Sequence, residues 1–330
     1  MKLRNLLILG IATAFMLTAC IASPTPVHEP ANTRVRLNQV VHSIFYAPQY
    51  AAIELGIFAE YGLDIELETG NGADRSMSAL ISNHADIALL GIEAALYVYL
   101  EGREDLAVPF AQLTAGAGNF LVSREPMPNF RWEDVRGRTI IGGRAGGMPQ
   151  MVLEYILRQH GIEPQQDVEI LTTLQFATTA AAFTGGLGDF TAEFDPSAFA
   201  LEQAGIGYVV ASMATYSGEL PYTVYVANRS FIEANPEIIQ AFTSAISRAQ
   251  AWVAATPSHE VARVISPHFP ENSLEDLAFM VERYRSVNVW LQSPQISRDG
   301  FETLQDIMQQ GAELAMRVDF DNLVDNTFAN

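Results

Sequence analysis

A single lysine, Lys2, and a single cysteine, Cys20, stand among 330 residues, and each scarcity removes a kind of chemistry. With one cysteine the chain forms no internal disulfide. With no lysine beyond residue 2, its body has no amine for a Schiff base to pyridoxal phosphate and no lysine base. The glycine-rich stretch IIGGRAGGMPQM, Ile140 to Met151, ends in Gly147-Met148-Pro149 where a P-loop needs Gly-Lys-Ser/Thr. Nor does Gly143-Arg144-Ala145-Gly146-Gly147 have the spacing of a dinucleotide fingerprint. His28, His42, His84, His160, His259 and His268 are scattered, with no apparent metal-ligand spacing and no apparent Ser-His-Asp arrangement.

Positive charge is also short: 19 Lys+Arg face 38 Asp+Glu, a net charge of −19. Such a chain does not seek nucleic acid or an anionic bilayer surface. What basic charge the N-terminus has, Lys2 and Arg4, precedes an apolar run from Leu6 to Met16 and the small-residue junction Leu17-Thr18-Ala19-Cys20. That is the architecture of an export signal, too short to span a membrane as a permanent helix. The junction resembles the bacterial lipobox, whose cysteine becomes the lipidated first residue. We therefore expect a signal peptide over 1–19, lipid on Cys20, and a proline-bearing flexible tether over 20–33, which would hold the chain on the extracytoplasmic face of the cell membrane. Loss of 1–19 removes Lys2 and Arg4 and no acid, so the charge becomes −21.

From Arg34 onward, β-rich runs alternate with helical stretches, which predicts an α/β fold with mostly parallel sheets. Strands are expected at 34–41, 63–68, 87–90, 107–113 and 119–122, then at 139–142, 168–172, 190–194, 208–211 and 222–226. Helices fall between them, and the chain becomes almost wholly helical after 226. Ala85-Asp86-Ile87-Ala88 and Gly188-Asp189-Phe190-Thr191 repeat one helix-turn-strand pattern at an offset of 103 residues. Two lobes are implied: 34–122 with 223–330, and 123–222. Two crossings between them would act as a hinge, and the strand ends of both lobes would face one cleft.

At FYAPQYAAIELGIFAEYGLDIELE, Phe45 to Glu68, and again at Leu80 to Ile87 with Asp86 and at Asp189, the sequence resembles the substrate-binding proteins of ABC importers. The family is the one that binds alkanesulfonates, taurine, nitrate and thiamine-pyrimidine precursors. The resemblance implies a two-lobed type II periplasmic-binding-protein fold, a membrane permease as partner, no enzymatic activity and no cofactor. The glycine-rich stretch then becomes a cleft loop in which Gly147 and Met148 approach the ligand, glycine being used because a Cβ would hold the loop away. An anion contact through Arg144, and a plain strand-to-helix turn with no ligand, are the alternatives.

The candidate ligand-binding residues near strand ends are Gln39, His42, Phe45, Tyr46, Glu93, Asn119, Glu193, Phe194, Asp195 and Tyr222, with Gly147 and Met148. This aromatic and acidic set suits a planar heterocycle better than an anion. Riboflavin is the first expectation, by resemblance to a flavin-binding branch; a thiamine-pyrimidine precursor is the second, and sulfonate, taurine or nitrate follow. A pyrimidine-synthesising enzyme of the same fold and a surface adaptor without a ligand are readings from other classes.

Overall fold

The structure is a computed structural model and describes residues 32–329. The expected signal peptide, Cys20 and all but the end of the tether lie outside the described residues. Two five-stranded mixed sheets organise the rest. The strands are β1 (Thr33–Gln39), β2 (Leu63–Thr69), β3 (Ile87–Leu90), β4 (Ala107–Ala115), β5 (Phe120–Ser123), β6 (Thr139–Ile141), β7 (Glu169–Leu171), β8 (Phe190–Glu193), β9 (Tyr208–Ser212) and β10 (Pro221–Asn228). The first sheet runs β2-β1-β3-β10-β4 and the second β7-β6-β8-β5-β9.

The two sheets have the same plan. In each, three strands are parallel, and the fourth in spatial order, β10 or β5, runs antiparallel to both its neighbours. The 103-residue offset holds in the register: Leu37 pairs with Leu67 and Ile87, and Ile140 with Ile170 and Phe190. It holds in the hydrogen bonds too. Asp86 Oδ2 accepts the Arg36 N–H at 2.9 Å while the Asp86 N–H donates to the Arg36 carbonyl; Asp189 Oδ2 and N–H do the same with Thr139. One aspartate per lobe thus ties the turn before the central strand to its neighbour, which is why Asp recurs where the turn sequence otherwise varies. The Arg36 guanidinium pairs with Asp86, and Arg138 with Asp189.

Helices α1 (Ala47–Glu54), α2 (Ile57–Glu60), α3 (Ala73–Ile81) and α4 (Ile92–Leu100) belong to the first lobe, and α5 (Met148–Gln159), α6 (Phe176–Thr184) and α7 (Ser197–Gln203) to the second. The helical stretch between β1 and β2 is two helices, α1 and α2, because Gly56 adopts φ +68° between them.

The sheets correct two expectations. The expected boundary puts Phe120–Val122 in the first lobe, yet β5 lies between β8 and β9, so the chain crosses before it, at 116–119. The return crossing, 213–220, likewise ends before Pro221 opens β10 in the first sheet. A strand's membership depends on its partners, which short apolar runs do not name. The crossings lie side by side: Gly116 N–H donates to Leu220 O at 3.1 Å and Met213 N–H to Asn119 O at 3.0 Å. At Gly118 a Cβ would come within 2.4 Å of the Phe45 ring, so this segment packs on that ring only as glycine. The late helices were expected on the first lobe, and Pro236–Ala255 packs there against α1 and β4. Leu274–Ser286 instead reaches the second as well, through Tyr284 and Arg283.

Asp86→Ala is expected to cost about 2 kcal/mol in denaturant unfolding, since it leaves a strand N–H and a guanidinium without their partner. Asp189→Ala, whose ion pair is more exposed, should cost about half as much. Equal and negligible effects would contradict a structural role for the repeat.

Candidate functional site

Between the lobes lies a cavity of about 390 Å³. The first lobe contributes Val40, Tyr46, Asp74, Met77, Glu93 and Tyr97; the second contributes Arg144 to Pro149, Phe176 and Phe194; Tyr222 and Glu313 complete it. Helix α4 presents a whole face. Glu93, Ala94, Tyr97, Val98 and Glu101 line the cavity at the three- and four-residue spacing of one helical stripe. The glycine-rich stretch forms the facing wall, with Gly143 at φ +97° and Gly146 at φ +71° turning the chain from β6 into α5.

That loop also closes the cleft. The Arg144 guanidinium pairs with Asp74, the Tyr97 hydroxyl donates to the Gly146 carbonyl at 2.9 Å, and the Met148 N–H donates to Glu93 Oε1 at 3.3 Å. Arg144, considered as an anion contact, is occupied by a carboxylate of the opposite lobe. At the back, the Ser43 hydroxyl donates to the Asp195 carbonyl at 2.6 Å and the Asp195 N–H to the Tyr284 hydroxyl at 3.0 Å.

Glu93 is the most consequential group here. It sits in the first turn of α4, 3% exposed, and burial pushes its carboxyl up from 4.5 to about 7 against the N–H groups that lower it. Its Oε2 has no hydrogen-bond partner among the described residues. At Gly91 a Cβ would come within 2.0 Å of that oxygen, so a bare glycine lets the carboxyl lie where it does.

Of the predicted residues, Tyr46, Glu93, Gly147, Met148, Phe194 and Tyr222 line the cavity. The other six do not, and each has a different occupation. Gln39 is buried in the first lobe, accepting from Gln49 and Tyr50 and donating to Thr69. His42 stacks on Phe269 at 4.5 Å. Phe45 is fully buried behind the wall, with the rings of Tyr46, Phe194, Tyr222 and Tyr284 5.5–5.8 Å away; it ties both lobes, a crossing and a late helix together. Asn119 Oδ1 faces the Tyr222 hydroxyl at 3.5 Å. Asp195 Oδ1 caps α7 by accepting the Phe199 N–H at 3.0 Å, and burial raises its carboxyl to about 6 although Arg283 stands 3.7 Å away. Glu193 accepts from Thr191 at 2.7 Å and Thr179 at 3.0 Å inside the second lobe, its carboxyl raised by burial to about 7.

Sequence reasoning missed Asp74, Met77, Tyr97, Glu101, Phe176 and Glu313 on the wall. Tyr97 and Glu101 were within reach, at four-residue steps from Glu93 on one helix. Glu313 carries no such signal, since it follows the end of the helix Arg298–Gln310.

Two lobes closed over a partly polar, aromatic-walled cavity are the arrangement of a two-lobed periplasmic-binding-protein fold. The chain belongs to the NMT1-like family, whose model matches residues 29–266. A Bacillus subtilis (strain 168) protein named "Putative binding protein YtlA" is 38% identical over 320 residues, 97% of this chain and 94% of its own length. Among solved structures, the alkanesulfonate-binding protein SsuA of Xanthomonas axonopodis pv. citri, bound to MOPS, superposes with a TM-score of 0.71 at 16% identity, covering 91% of this chain and 99% of that one. The periplasmic nitrate-binding protein NrtA of Synechocystis PCC 6803 does so with a TM-score of 0.62 at 18% identity, over 75% and 69%. At these identities the two structures share the fold, a periplasmic-binding-protein architecture.

Glu193 gives a test of the interior. The unfolded chain ionises this carboxyl from about pH 4.5, while the folded chain holds the proton to about pH 7, so stability falls as pH rises across that window. The loss amounts to about 3 kcal/mol above it. Glu193→Gln should melt with a shallower decline between these pH values than the parent chain, the remainder coming from Glu93 and Asp195. Identical slopes would show that Glu193 ionises freely.

Proposed function

We propose that the chain is the extracytoplasmic solute-binding component of an ABC importer, held at the cell membrane by lipid on Cys20, and that it delivers a small aromatic heterocycle to a membrane permease. The observation that carries this reading is the cavity enclosed between two lobes that touch across it through a few polar contacts. Such contacts form and break as the lobes rotate about the crossings. Tyr46, Phe176, Phe194 and Tyr222 line it with aromatic rings, and its volume falls within the range of small-molecule sites. Burying about 200 Å² of a flat ligand there would contribute roughly 5 kcal/mol before hydrogen bonds are counted.

Riboflavin and a thiamine-pyrimidine precursor are the two ligands we put forward, both flat and both carrying N–H donors for Glu93. The sulfonate or nitrate reading draws support from SsuA and NrtA, but the only basic side chain on this wall, Arg144, already pairs with Asp74. Catalysis in the manner of a lysine-held cofactor lacks its lysine, since Lys2 is the only one.

Flavin fluorescence titration, beside a thermal-shift panel of hydroxymethylpyrimidine, formylaminopyrimidine, thiamine, taurine and nitrate, tests this directly. Saturable binding of riboflavin or a pyrimidine is the expected result; a response to taurine or nitrate alone would overturn the heterocycle, and a response to none would overturn the class. For the compound that binds, Phe194→Ala should weaken affinity about tenfold without changing the fold. Asp74→Asn should speed dissociation several-fold with little change in association, because it loosens the closed cleft and not the ring contacts. An unchanged off-rate would remove the Asp74–Arg144 pair from the closing contacts.

A further inference from the structure

The charged side chains on the cavity wall are four acids, Asp74, Glu93, Glu101 and Glu313, and one base, Arg144. The base is matched by Asp74 at the more exposed edge. Glu93, Glu101 and Glu313 are then left without a basic side chain on the wall. Glu101 is exposed and Glu313 half-buried, where an unpaired carboxylate costs less; Glu93 is buried.

Glu93 departs from the rule that a buried charge is paired. Its Oε1 is used by the Met148 N–H of the opposite lobe, its Oε2 has no partner among the described residues, and Gly91 lacks the Cβ that would collide with it. The phenols of Tyr46, Tyr97 and Tyr222 lie in its field, on three different elements, and all are held neutral by burial. None can neutralise it. The same rings, with Phe194 and Phe176, line the cavity, and aromatic rings attract cations over their faces.

We propose that the site takes a ligand whose buried end is an organic cation, a protonated or permanently charged nitrogen, with the Glu93 carboxylate as its counter-ion and the determinant of charge selectivity. The inference rests on the binding-protein reading and narrows it to the basic members of the heterocycle class. One carboxyl then serves two partners at once, the second lobe through the Met148 N–H and the ligand through its charge. A cation that draws the proton off Glu93 also strengthens the acceptor on which closure depends, so binding and closing reinforce each other.

Three probes of one shape separate the charge states: benzamidine is a cation, benzamide neutral and benzenesulfonate an anion. By calorimetry at about pH 8, benzamidine should bind the chain at least about tenfold more tightly than benzamide, with benzenesulfonate weakest. Glu93→Gln should bring the benzamidine-to-benzamide ratio close to unity. On the unaltered chain, benzamidine affinity should rise from about pH 6 to about pH 8 as Glu93 loses its proton, with benzamide unaffected. The ionisable groups that share the wall, Asp74, Glu101, Arg144 and Glu313, are more exposed. Benzenesulfonate binding as well as benzamidine, a ratio unchanged by Glu93→Gln, a flat pH profile, or no binding of any probe would each overturn the proposal. If a compound of the vitamin panel binds while the probes show no preference for positive charge, the binding-protein reading stands and this inference alone falls. Silence from both sets of compounds sinks both.

Discussion

A carboxyl group buried without a cation beside it is costly, and the cleft is arranged around one. Glu93 stands in the first turn of a helix, where N–H groups stabilise a carboxylate, and it receives one further N–H from Met148 across the cleft. Those donors offset only part of the desolvation, which is why the proton is held to about pH 7. The contact between lobes is consequently conditional. It is strongest when something else in the cavity favours the ionised form.

The rest of the architecture places the two sides of that contact. Each sheet carries one antiparallel strand that begins just after a crossing, so the crossings are anchored in both lobes and bonded to each other. Phe45 fills the space behind them and contacts rings from both lobes. Packed, mutually bonded crossings at the back and a few polar bonds at the front are the arrangement that hinge closure would use.

Much of this was legible in the sequence, for reasons that differ from residue to residue. The Asp86 and Asp189 repeat was visible because each does the same local work, tying a turn to the next strand. The glycines from Gly142 to Gly147 were visible because positive φ and close approach restrict the alternatives. The allocation of β5 was not, since a four-residue apolar strand records no partner. Among the site residues, Glu93 and Tyr222 reach the cavity, whereas Gln39, Asn119 and Glu193 each bond to other side chains in the interior. Residue type and nearness to a strand end do not distinguish a polar group that faces a ligand from one that faces a threonine. That distinction is made by side-chain direction, and direction depends on packing. Tyr97 shows the converse, a wall residue that helical spacing alone would have added.

The most direct test of the account is whether the cleft closes on what it binds. With Cys20 replaced by serine, cysteines introduced at the exposed positions Ser82 and Gln159 would carry spin labels on opposite lobes. Their distance distribution is to be measured with and without the panel compound that raises the melting temperature. The account predicts that the ligand-free chain samples longer distances as well, and that saturating ligand collapses the distribution to a single short one. A distribution that saturating ligand leaves unchanged would contradict it.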